Sequence, residues 1–129
     1  SGPAPETPAP PQVIRPATPA ARLAELRGDA TASHAAFLAR EDDAGRLVRS
    51  AAGQPFESAS RAAALVALAD LDSKRGATAG TLAALDTLAA EAAAALSPDP
   101  ALSQTQTEIA ALLARQDEGI ARLWKAMGS

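Results

Sequence analysis

The chain has 129 residues, with 12 basic against 15 acidic side chains and a net charge of −3. Alanine supplies 36 residues and leucine 15, while Phe37, Phe56 and Trp124 are the only aromatics. No cysteine occurs and His34 is the single histidine, which excludes disulfide scaffolds, CxxC redox pairs, thiolate metal sites and double-His motifs.

Residues 1–18 differ from everything that follows. Seven of the ten prolines fall within residues 1–19, and proline fixes φ while removing a backbone donor. The segment is therefore predicted to run as polyproline II or extended coil, a linker or tether ahead of a folded unit. Ser1-Gly2 reads as the remnant of a fusion tag. The expectation is that a targeting segment preceded it, placing the protein in the periplasm or elsewhere outside the cytoplasm, with a membrane tether as one form of that arrangement. A linker inside the cytoplasm is the alternative. Ten arginines against two lysines, with so much alanine, point to a GC-rich bacterial genome.

Residues 19–129 form the predicted helical bundle domain. Thr18 is expected to cap the first helix, with Pro19 at its first position. Leu23, Leu26, Ala30, Ser33, Phe37, Ala44, Leu47 and Ala51 recur at three- and four-residue spacing, and Gly53-Gln54-Pro55 stops the pattern. The spacing predicts a helix over about 19–52.

A second stripe reads Ala64, Leu68, Leu71, Arg75, Thr78, Leu82, Leu85, Ala89, Ala92 and Leu96. Its phase survives Gly76, so one helix over about 55–97, beginning near Pro55 or Ser58, is predicted; a break near Gly76, giving four helices, is the alternative. Pro98 and Pro100 end it. A third helix begins either with Asp99 as cap and Pro100 at its first position or one turn later with the Thr105–Glu108 capping box, and the stripe Ile109, Leu113, Gln116, Ile120, Leu123 and Met127 carries it to about Met127. Trp124, flanked by Leu123 and Met127, is expected in the core. The fold class is all-α: an antiparallel up-down-up bundle of three long Ala/Leu-rich helices behind a Pro-rich extended arm.

Folding the chain back at residues 54 and 98 sets Phe37 opposite Leu71 and Leu71 opposite the Trp124–Met127 turn. The third helix then ends near the level of Leu68. Leu47, Val48, Ala51, Phe56 and Ala59 at the hairpin tip would lack a third-helix partner, which makes them the candidate interaction surface. The hairpin around Leu96 and Leu102 would also lie open unless the arm, with Val13 and Ile14, covers it.

His34, Arg40, Arg75 and Gln116 form a candidate polar seam, a device for setting register or lining a cleft. Asp70 and Lys74 have the spacing of a helix-surface ion pair. Glu41-Asp42-Asp43 cannot chelate one ion from a regular helix, because successive residues point about 100° apart. No nucleophile–base pair, phosphate loop or metal cluster is legible, so no catalytic, cofactor-binding or metal residue is predicted, and no cofactor. The charges are interspersed, without the basic stripe of a nucleic-acid binder. No run of 18 apolar residues suits direct membrane insertion.

The long Ala/Leu helices behind a Pro-rich tether resemble, in architecture alone, bacterial envelope proteins with helical periplasmic domains. The expected role is a non-enzymatic interaction or scaffold module that binds a protein partner or a second copy of itself through the hairpin tip. A small-ligand carrier, with a cavity between helices near His34, Arg75 and Trp124, is the alternative. An enzyme of unknown type is a third reading.

Overall fold

A computed structural model of the protein describes residues 18–128, together with Gly2, Pro5 and Pro8. Apart from those three and Thr18, the expected Pro-rich arm lies outside the described residues, Val13 and Ile14 included. The rest is three packed helices: α1 over Ala20–Ala51, α2 over Ala59–Ala94 and α3 over Pro100–Met127. No strand occurs among the described residues. Helix α2 is continuous through Gly76 at 36 residues, so the four-helix alternative does not hold.

Cross-helix hydrogen bonds fix the directions. Ser33 meets Thr78 and Arg40 meets Asp70, so α1 and α2 are antiparallel. Arg75 with Asp117 and Gln106 with Asp86 make α3 antiparallel to α2 in turn. Arg27 with Glu108 and His34 with Gln116 run α1 and α3 parallel.

The ends of the helices depart from the sequence expectation in instructive ways. Pro19, not Thr18, is the N-cap of α1, and no side chain caps it. Thr18 instead gives its backbone N–H to Asp99 Oδ2 at 3.2 Å, while Asp99 Oδ1 accepts from Leu102 N at 3.1 Å. One buried carboxylate thus caps α3 and holds the start of α1 against it. Helix α2 begins at Ala59, so of the two expected starts, near Pro55 or near Ser58, the second holds. Residues 51–54 form a tight turn closed by Gln54 N to Ala51 O, with Gly53 at φ +76°, and a second turn over 55–58 follows. A positive φ at the third turn position is what glycine supplies at least cost. Ser58 then caps α2 by accepting from Arg61 N.

The core runs down the axis in three apolar blocks. Leu23, Leu26, Ala30, Leu85, Ala92, Leu102 and Ile109 fill one end. Phe37, Ala44, Ala67 and Leu71 fill the middle, with Ile120 and Leu123 against them. Val48, Ala51, Ala64, Leu68 and Met127 fill the other end. Each buried leucine contributes at most about 2–3 kcal/mol on area grounds. Alanines between them let the helix axes approach closely.

The expected uncovered tip is therefore mostly closed. Helix α3 sits about one turn further along α2 than the fold-back at residue 98 placed it. The reason lies in the connection: α2 ends at Ala94 and α3 starts at Pro100, so the pivot falls earlier in the chain. Leu71 accordingly meets Ile120 and Leu123, and Met127 reaches Val48 and Ala51. At the opposite end the α2–α3 hairpin is not open either, since Leu102 is buried against Leu23 and Leu26. Leu96 points away, 91% exposed, with a backbone φ of +52°.

Candidate functional site

The sequence-predicted polar seam resolves into one buried layer and two surface pairs. Between the first and middle apolar blocks, Gln116 and Thr78 are completely buried. Gln116 Nε2 donates to Thr78 Oγ1 at 3.0 Å and lies 3.0 Å from His34 Nδ1. Thr78 and Ser33 hydroxyls stand 2.7 Å apart, and Ser33 donates to Ala30 O at 3.1 Å. The chain of donors thus crosses from α3 through α2 to α1. His34, half-buried, also stacks on Phe37 with ring centroids 6.5 Å apart. Gln116 spends its nitrogen on two partners, and its enclosed Oε1 has none among the described residues.

Arg40 and Arg75 do not join that layer. Each of the three grooves between helices carries its own ion pair instead. Arg40 Nε donates to Asp70 Oδ2 at 2.9 Å between α1 and α2, and Lys74 Nζ donates to Asp70 Oδ1 at 2.7 Å. The Lys74 hydrogen bond, with Arg40 helping, holds the Asp70 carboxyl below its ordinary value. Arg75 pairs with Asp117 between α2 and α3, which raises the guanidinium pKa further. Arg115 reaches across to Glu41 in a two-pronged pair, 2.6 and 3.0 Å, between α3 and α1, with the same upward effect on Arg115. These exposed or half-exposed pairs set pairing geometry more than they add stability.

The acidic run divides as helix geometry requires. Glu41 turns to Arg115, Asp43 to Arg46 and Arg40, and Asp42 faces solvent. Among the described residues, no group of three or more His, Cys, Asp or Glu side chains is placed to hold a metal ion.

Of the candidate tip residues, Val48 and Ala51 are buried under Met127, and Leu47 is half-buried beside Leu123. Ala59 is exposed, and Phe56 stands out at 82% exposure. Trp124 is not in the core. It is 48% exposed, because the inward stripe of α3 passes through Ile120, Leu123 and Met127 and leaves it to one side. His34, Arg75 and Trp124 therefore have separate surroundings: the buried layer, the α2–α3 edge and the surface.

A feature that sequence reasoning missed lies between α1 and α3. A groove of about 290 Å³ opens there, lined by Glu41, Asp42, Gly45, Arg46 and Arg49 of α1 and by Gly119, Arg122 and Leu123 of α3. Both glycines are buried. A Cβ at Gly119 would collide with Glu41 Oε2 and come within 2.9 Å of Arg115 Nη1; a Cβ at Gly45 would stand 3.2 Å from Arg49 Nη1. Two glycines inside helices, each on a buried face, were the available signal of close approach.

None of the described helices is long and apolar enough to cross a membrane. Comparison of the chain with known protein families, with characterised proteins and with solved structures finds no match.

Proposed function

We propose that the protein is a helical interaction module that docks a second copy of itself through the end where α1 meets α2 and α3 finishes. One observation carries the reading. Among the described residues six large apolar side chains are exposed, and four of them, Phe56, Leu65, Val66 and Trp124, lie at this end. Phe56 is in the α1–α2 connection, and Leu65 and Val66 are in the second turn of α2. Trp124 is in the last turn of α3, level with Leu68 when counted from the Arg75–Asp117 pair. An end rich in exposed apolar groups suits an interaction surface, and each Å² covered is worth roughly 25 cal/mol. Exposed Glu57 and Lys125 stand at the same end with opposite sign, which suits a two-fold contact in which each copy's acid faces the other's base. The candidate surface thus keeps Phe56 and Ala59 from the sequence reading and adds Leu65, Val66 and Trp124.

The reading extends to the compartment. A Pro-rich stretch ahead of a compact bundle suits a tethered, extracytoplasmic bacterial module. Light scattering over a concentration series tests the docking. Wild type is expected to approach twice the monomer mass, and Phe56→Asp to lower it while helix content by circular dichroism stays unchanged. A wild-type chain that remains monomeric at millimolar concentration defeats the self-docking proposal.

A further inference from the structure

We propose that the α1–α3 groove is an oxyanion site, taking a phosphate group either free or carried as a monoester on a small molecule. The charge arrangement motivates it. Arg46 and Arg49, one turn apart on α1, and Arg122 on α3 all line this single groove. Arg46 is engaged by Asp43. Neither the Arg49 nor the Arg122 side chain forms a hydrogen bond or ion pair within the described residues. Of the lining acids, Glu41 is already taken by Arg115, which leaves Asp42 as the one unengaged carboxylate. The groove therefore holds uncompensated positive charge in a chain whose net charge is −3.

Geometry narrows the ligand. Guanidinium forks match two oxygens at a time, and forks from opposing walls suit a tetrahedral dianion better than a planar carboxylate. A volume of about 290 Å³ admits a phosphate with a short organic group. Arg49 already lies folded over Gly45, so its head group needs little reorganisation to reach an occupant.

The test is an amide NMR titration of the full chain with inorganic phosphate and, separately, with glycerophosphate, using acetate at matched ionic strength as the control. Saturable shifts of the Gly45 and Gly119 amides with either phosphate, and not with acetate, are expected. Saturation by glycerophosphate alone assigns a monoester ligand, whereas equal saturation by both assigns the phosphate group itself. Each guanidinium should account for about tenfold in affinity. Arg49→Gln with Arg122→Gln should thus weaken binding about a hundredfold, and the matching Arg→Lys pair should also weaken it, because charge remains but the fork is lost. Asp42→Asn should tighten binding by removing the like charge. These side chains hold no other group in place, so folding is expected to be unaffected. Shifts that rise linearly without saturation, or binding that survives the Arg→Gln pair, overturn the proposal.

Discussion

The side-chain amide of Gln116 on α3 donates to the hydroxyl of Thr78 on α2 at 3.0 Å, at a level where apolar packing gives way to a fully enclosed polar contact. The arrangement is incomplete, because Gln116 Oε1 is buried without a partner. An enclosed carbonyl left unpaired costs about 1–3 kcal/mol, comparable to what the two nitrogen contacts return. Gln116→Leu removes the orphan and adds apolar burial. Thr78 keeps Ser33 and Lys74 O as partners, and half-buried His34 can turn to water. The substitution is expected to raise unfolding free energy by about 1–2 kcal/mol in urea titration; a loss of stability would mean that the polar layer is worth more than its parts.

Glycines inside the helices divide by what surrounds them. A Cβ at Gly76 meets nothing within 4 Å, so Gly76→Ala should stabilise by about 1 kcal/mol through helix propensity alone. Gly119→Ala carries the same propensity gain but displaces the Glu41–Arg115 pair. Thermal unfolding should show a rise in Tm for the first and little or none for the second.

At the end of α2, Leu96 holds φ +52° while Ser97 N bonds back to Ala92 O. This is the left-handed helix terminus at which glycine is preferred, and a branched side chain there costs about 1–2 kcal/mol. With the side chain 91% exposed, little burial is lost on truncation. Leu96→Gly is expected to stabilise by about 0.5–1 kcal/mol, and Leu96→Ala by less, as read from denaturant midpoints.

Asp99 serves two helices with one carboxylate. Asp99→Ala should cost about 2 kcal/mol, the upper range for an N-cap, because it also releases Thr18 N. Hydrogen exchange should accelerate at Leu102 and also at Thr18 and the first turn of α1. Acceleration confined to α3 would show that the link to Thr18 contributes nothing.

Acid should expose the Asp70 contacts. Its folded pKa lies below the ordinary 3.8, so the stability tied to its ionised form is present above that value and is lost as pH falls through the lowered one. The Tm difference between wild type and Asp70→Asn should therefore be largest near neutrality and shrink in acid well below the ordinary carboxylate range. A difference that persists there would have to come from something other than charge.

How much of this was legible depends on what each residue's neighbours are. The inward stripes follow from spacing along one helix, so Leu23, Phe37, Leu71 and Gln116 could be placed from sequence, and the unbroken phase across Gly76 favoured three helices over four. Register between helices depends on where the caps fall. A connection over residues 95–99 that pivots slightly earlier than expected moved α3 by about one turn and covered Val48 and Ala51. Trp124 was misplaced because a residue one position from an inward leucine is rotated about 100° from it. The arginine groove was the least accessible. Helices α1 and α3 are not consecutive, so their mutual register is set only through α2 and through pairs such as Glu41–Arg115.

The Thr18–Asp99 hydrogen bond also decides which way the molecule faces. It pins the entry of the chain beside the α2–α3 connection, and 32 residues of α1 then span about 48 Å before Phe56 is reached. Anything that holds the chain ahead of Thr18 grips the bundle at its base, and the exposed Phe56 is carried at the far end of α1. A label or immobilising tag is therefore best placed before Thr18. One added behind α3 would follow the last turn that carries Trp124, close to the surface proposed to dock a second copy.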